Sequence, residues 1–580
     1  MKLIHYLIGC SVLLTACAQT PQRADSAQVS EPVGSVASAP EQTAEAELVL
    51  PDVELTDALL YEFLLTEIAS QRGHDLLAAK GSLDMAKKTR DPRLARRATQ
   101  LAMESGDMQE AISAFKLWQE VEPGSPYAGR MLASIYLRGG KLDEAQQEFA
   151  KVLKEDGANA GHSFLQIYQM ISAYPDHNAA LQLVRKLAES LPKLPEAHWS
   201  VAHMAYTVGD YSLALEEVRH AATLRPDWIM EVSLEAQILQ KTAPGQGLEV
   251  LSNYLKKEPK SREMRLQYAR ALLEQKHYKQ ARDEFQRLAD ENPELPDLEF
   301  TIALISLQLN DLETAEKLLN EALSKGGKGQ DTIHYYLGQL NEAKQKEDEA
   351  IVHYRQVQDG EYHFAAQVRT AFLLSKQGKL DEARAYLHQI GTVDNQQRVQ
   401  LLLIEAQLLR EENLNEDAYQ VLQRGLEKLP NHPDLLYAAG MLADKLGKPD
   451  EFEQLMRKLI QIQPDHAQAY NALGYGLLER NIRIPEAVAL VEKALALSPN
   501  DPAIMDSVGW GYYRSGKLEE SEKLLRRAFS GSQDFEIAMH LGEVLWMRGN
   551  KEEAEKIWRD SLKQNPGNAQ LQALIKKFIP

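Results

Sequence analysis

One interval constrains this 580-residue chain more than any other feature: a small residue returns about every 34 positions. Ala111, Ala145, Ala180, Ala214, Gly247, Ala281, Ala315, Ala350, Ala383, Ala418, Phe452, Ala487, Ser521 and Ala554 share one register, thirteen steps over 443 residues. Four positions after each comes a bulky or aromatic residue. Twelve after come Pro123, Pro192, Pro226, Pro259, Pro293, Pro430, Pro464, Pro499 and Pro566, where a missing N–H stops a helix. About twelve before each anchor stands another mostly small residue, among them Ala133, Ala202, Ala269, Gly338, Gly440, Gly474, Gly509 and Gly542. Glycine turns such as Gly106-Asp107, Gly209-Asp210, Gly447-Lys448 and Gly549-Asn550 separate the two runs.

A period of 34 with this punctuation is that of the tetratricopeptide repeat (TPR), a pair of antiparallel helices. The chain is therefore expected to be all-α. Residues 52–580 should form a TPR α-solenoid, a right-handed superhelix of about fifteen helix pairs, with Gly73 and Ala78 in a degenerate first pair. Repeats around 247, 452 and 521 lack the anchor alanine, and 157–180 and 324–334 read loosely. Such a stack presents a long face lined by the first helix of each pair. Its function has to be argued from surfaces rather than from the fold.

The start of the chain reads differently. A short apolar run from Leu3 to Leu14 ends in Leu14-Thr15-Ala16-Cys17, which resembles a bacterial lipobox. Residues 1–16 are then a lipoprotein signal peptide, and Cys17 is the lipidated residue. Residues 17–51 are an Ala-, Ser-, Gln- and Pro-rich linker of roughly 30 Å reach. Removal of Cys10 with the signal leaves no free thiol, which suits an oxidising periplasm. Ala18 stands where an Asp would be the usual inner-membrane retention signal, so the resemblance implies the outer membrane of a Gram-negative cell, facing the periplasm. A formal net charge of −19 argues against a nucleic-acid partner.

No catalytic constellation stands out: no nucleophile elbow, zinc-protease helix, P-loop or dinucleotide fingerprint occurs. Gly326-Gly327-Lys328-Gly329 reads as a loop between repeats. His198 and His203, five apart, do not share a helix face, so no metal site is expected. The expectation is a chain that is not an enzyme and carries no cofactor. Two surfaces suit partners instead. In the last three repeats Asn471, Tyr475 and Leu478, then Asp506, Trp510 and Tyr513, then Met539, Glu543 and Trp546 occupy positions expected to face the groove. Aromatic rings beside carboxylates suit a protein partner. The same rings could instead pack between adjacent repeats. At the other end Leu59, Leu60, Phe63 and Leu64, with Tyr61 and Ile68, make a first helix apolar around much of its circumference, a docking face or a simple cap.

Leu59-Leu60-Tyr61, the run Leu64-Leu65-Thr66-Glu67-Ile68-Ala69-Ser70-Gln71-Arg72-Gly73 and Thr89-Arg90-Asp91-Pro92 resemble the LbcA-type TPR outer-membrane lipoproteins. So do Asn471-Ala472-Leu473-Gly474-Tyr475, Asp506-Ser507-Val508-Gly509-Trp510 and His540-Leu541-Gly542-Glu543-Val544-Leu545-Trp546, whereas about 125–430 matches by period only. The resemblance implies an adaptor that binds a periplasmic carboxyl-terminal processing protease and presents peptidoglycan hydrolases to it for degradation. The alternative is a TPR scaffold for outer-membrane and envelope assembly or exopolysaccharide export.

Overall fold

The computed structural model describes residues 50–579 apart from 124, 294–295, 327–328 and 392–393. The signal peptide, Cys17, nearly all of the linker, and Gly327-Lys328 lie outside the described residues. Every regular element among the described residues is helical. Fifteen consecutive helix pairs run from Asp57–Gln71 with Asp75–Thr89 to Phe535–Met547 with Lys551–Gln564, and a final single helix, Ala569–Phe578, follows. None of these helices is long and apolar enough to cross a membrane. The chain divides into two compact units, one up to Ile238 and one from Leu239 onward, each a stack of such pairs.

Within a pair the earlier small residue faces the bulky residue that follows the anchor by four. The anchor alanines are buried, and so are the exceptions: Phe452 is 1% exposed and Ser521 0%. The space opposite an anchor is matched to the bulky residue four positions later. A Cβ added at Gly338 would meet the Tyr354 ring at 2.5 Å, and one at Gly542 would fall on Nε1 of Trp558, so each glycine is the hole for its partner's ring. The exceptions carry their own compensation. The Ser521 hydroxyl donates to the carbonyl of Gly509 at 2.7 Å, satisfying a buried polar group. Phe452 fits because Gly476, in the following helix, leaves room for its ring.

The turns follow equally local rules. Gly106, Gly209, Gly378, Gly447, Gly516 and Gly549 have φ between 69° and 94°; Lys276, Asn310, Gln345 and Asn413 take the same left-handed conformation in the corresponding turns. Where Asp follows, it starts the second helix: Asp107 Oδ1 accepts from the backbone N–H groups of Gln109 and Glu110 at 3.0 and 2.9 Å. The loosely read segment at 157–180 holds a 3-10 turn, Gly157–Asn159, and the helices Ala160–Ser172 and His177–Ala188. Second helices shorten to ten residues at Glu347–Gln356 and Leu380–Gln389.

Candidate partner-binding surfaces

The first helix, Asp57–Gln71, buries only Thr66 and Ala69. Thr66 sits where the neighbouring helix has Gly81, whose missing side chain permits the approach. Polar links do much of the rest: Lys88 to Glu62 at 2.6 Å and Arg97 Nη2 to the Ser70 hydroxyl at 3.2 Å. Among the described residues nothing covers most of the helix's apolar side chains. Leu60, Phe63 and Leu64 are 43, 44 and 50% exposed, Leu59 is half-buried, and Tyr61, Leu65 and Ile68 are also exposed. Val53, Leu55, Leu59, Leu60, Phe63 and Met85 border a groove of about 530 Å³, with Asp91 and Arg93 at its polar side. The Arg93 guanidinium holds the Asp91 carboxyl below its usual range. The structure also explains Thr89-Arg90-Asp91-Pro92. Thr89 Oγ1 donates to Met85, Arg90 ends its helix in the left-handed conformation, and Asp91 caps the next one ahead of Pro92.

At the other end the helices Ala467–Glu479, Pro502–Arg514 and Phe535–Met547 bring together Tyr475, Asp506, Trp510, Tyr513 and Glu543, as well as one residue absent from the expected set, His540. Asp506 and Trp510 do not face outward: they are 5 and 6% exposed, against the expectation of groove-facing positions. The cause is His540, whose Nδ1 lies 3.0 and 2.9 Å from the two Asp506 oxygens and whose ring stacks on Trp510 at 4.2 Å. Burial alone would push the His540 pKa down, but the charge and hydrogen bond of Asp506 outweigh it and the net direction is up.

Trp510 donates Nε1–H to Glu479 at 3.0 Å and stacks on Tyr513. Tyr475 and Tyr513 remain half-buried and donate their hydroxyls to Glu536 and Glu543 at 2.8 and 3.1 Å. Burial and then Glu543 push the Tyr513 phenol up to about 12. Trp546 stacks instead on Trp558 and lies against Phe578 of the last helix, while Leu478 is buried. Asn471 is half-buried, and its buried Oδ1 has no hydrogen-bond partner. What this face offers a partner is thus its rim: Asn471, Tyr475, Tyr513 and Glu543, with Glu479 and Glu536 exposed beside them. That rim is acidic and aromatic, which suits a basic side chain.

His540 was detectable in principle, because it stands 34 residues, one full period, after Asp506. His198 and His203 engage different partners, Glu217 and the Tyr168 hydroxyl respectively. Gly326 and Gly329 both take positive φ in the linker between helices Leu312–Lys325 and Gln330–Ala343.

A family model described as tetratricopeptide repeat matches residues 102–166, 239–298, 272–340 and 409–474, and a second with the same description matches 509–569. A TPR repeat-containing protein of Pseudomonas aeruginosa is 34% identical over 486 residues, covering 83% of this chain and 82% of its own length. A TPR repeat-containing protein of Dictyostelium discoideum is 29% identical over 140 residues, 23% of this chain and 52% of that one. Among solved structures, a thermophilic TPR protein of Thermus thermophilus aligns at 21% identity over 31% of this chain and 98% of its own, with a TM-score of 0.29.

Proposed function

From the premise that the chain belongs to the tetratricopeptide-repeat family, we propose that it is a non-enzymatic adaptor, anchored to the outer membrane through lipid on Cys17 and facing the periplasm. In this reading it binds a periplasmic carboxyl-terminal processing protease and presents peptidoglycan hydrolases to it for degradation. Repeats of this family generally serve as non-catalytic scaffolds for protein–protein interaction. The observation that carries the reading is the apolar side of Asp57–Gln71, where Leu60, Phe63 and Leu64 are exposed among the described residues and Leu60 and Leu64 fall in the two segments that resemble the LbcA-type lipoproteins.

The two surfaces differ in the kind of partner they suit. Durable interfaces are the more hydrophobic ones, so the amino-terminal face is the dock for the protease. Each large apolar side chain it covers contributes roughly 1.5–3 kcal/mol before the cost of association. The acidic, aromatic rim around Tyr475, Tyr513 and Glu543 suits transient capture of basic segments on delivered hydrolases.

The full chain, solubilised in detergent and used as bait in envelope extract, is expected to recover a carboxyl-terminal processing protease together with cell-wall hydrolases. The triple change Leu60→Glu, Phe63→Glu, Leu64→Glu should lose the protease. Recovery of an outer-membrane pore or polysaccharide-export complex without a protease would overturn the proposal in favour of an assembly scaffold.

A further inference from the structure

Away from both surfaces, three side chains of one helix pair converge on a point. His198, on Pro195–Val208, is buried, and its Nε2 lies 3.1 Å from the carbonyl oxygen of Pro192. A carbonyl only accepts, so Nε2 carries a hydrogen and donates it. The other nitrogen, Nδ1, lies 2.6 Å from Oε2 of Glu217 on the partner helix Tyr211–Leu224. In the neutral ring that nitrogen is a lone pair facing a carboxylate lone pair, an arrangement that calls for a cation. His220 follows three residues after Glu217, one turn along the same helix face, and its ring centroid lies 4.0 Å from that of His198. One donor atom from each of the three residues lies within 4.8 Å of the other two.

We infer that His198, Glu217 and His220 bind a divalent transition-metal ion of the zinc class. A proton on His198 would satisfy Glu217 but leaves the third donor, His220, unused; a metal ion engages all three. Two imidazoles and one carboxylate are the donor set of zinc and its borderline neighbours rather than of calcium or magnesium, which take oxygen ligands. The Pro192 carbonyl supplies the outer hydrogen bond that orients a ligating histidine. The geometry requires only side-chain rotation. Bonds of about 2.0–2.1 Å at tetrahedral angles place donor atoms roughly 3.3 Å apart. Nδ1 and Oε2 then part by roughly 0.7 Å, while the remaining separations close by at most ~1.5 Å. His220 is exposed and Glu217 half-buried, so both are free to turn. The exposed side of His220 leaves the fourth position open to water or to a donor from another molecule, and the bound ion clips the two helices of the pair together.

The test uses the full chain without a histidine tag, stripped with a chelator and titrated with zinc alone and with cobalt(II). The expected result is one ion per chain and visible cobalt bands of a low-coordinate site. His220→Ala and Glu217→Gln should each weaken binding roughly tenfold or more. His220 is exposed, so the His220→Ala variant should keep its helical content and its metal-free melting temperature. Absence of one-to-one binding, or binding that His220→Ala leaves unchanged, would overturn the inference and leave His198 and Glu217 a simple ion pair.

Discussion

The first helix pair, 57–89, and the last stretch, 535–578, are both chain-end repeats, yet they treat apolar surface in opposite ways. At the carboxyl end Trp546 and Trp558 are covered by Phe578 of the single helix Ala569–Phe578, and Trp558 is 0% exposed. At the amino end the corresponding outer helix is itself the apolar element, and nothing among the described residues covers Leu60, Phe63 and Leu64. A repeat array needs a polar outer face on its terminal units to stay soluble. One end of this chain meets that requirement with its own last helix. At the other, nothing among the described residues meets it, and that place is proposed for a partner.

The sharpest way to break the comparison is to make the amino end polar. Leu60→Glu with Phe63→Glu and Leu64→Glu should reduce protease affinity roughly thousandfold or more, since apolar hot-spot side chains carry about 2 kcal/mol each. The melting temperature of the variant should hold or rise, and circular dichroism with a binding isotherm would read both. If the variant unfolds, the face was core and the contrast collapses.

The carboxyl end should respond in stability rather than in binding. Asp506→Asn removes a charged, buried partner of His540 and is expected to cost about 1.5–3 kcal/mol. It should also change the pH dependence. The folded-state pKa of His540 is raised, so the pair's contribution is fully present below the unfolded value of about 6.5 and is lost as pH rises through the folded-state pKa. Thermal melting of the parent chain should therefore fall with pH in that window, and the variant's curve should be flatter there. An identical slope in both would remove the buried pair from the account.

Gly542→Ala presses a methyl group into the Trp558 ring and should destabilise the last pair by about 1–3 kcal/mol, measured by urea denaturation. The smallest effect belongs to Arg90→Gly. Arg90 holds φ 56°, and glycine there should raise stability by about 0.5–1 kcal/mol. Partner binding should stay constant, which would show that the amino end lacks cover rather than suffering strain.

Much of this was legible from residue order alone. The anchors and prolines placed the helix pairs, and even Ser521 and Phe452 proved to be buried anchors with local compensation. The apolar residues at 59, 60, 63 and 64 were legible because a helix apolar around much of its circumference cannot turn all of that surface to one neighbour. Trp510 stayed open between groove and packing because a first helix touches two neighbours, and the period alone does not say which side a residue turns to. His540 settles it by pairing across one whole repeat. The meeting of His198 with Glu217 and His220 was hidden for a different reason: it joins facing helices 19 and 22 residues apart in sequence, a spacing that depends on the turn between them.

The matching of glycine to large side chain inside several of the pairs has a genetic corollary. Gly338 travels with Tyr354, and Gly542 with Trp558, because hole and knob are encoded within a single repeat. Unequal crossing-over that breaks the gene between pairs carries both members of such a couple, so the pair that is gained or lost keeps its internal fit. A breakpoint inside a pair can set an alanine against Trp558 or leave a glycine facing a small residue, and the product packs poorly. The packing thus favours gain or loss of whole repeats, with the phase of the repeat kept.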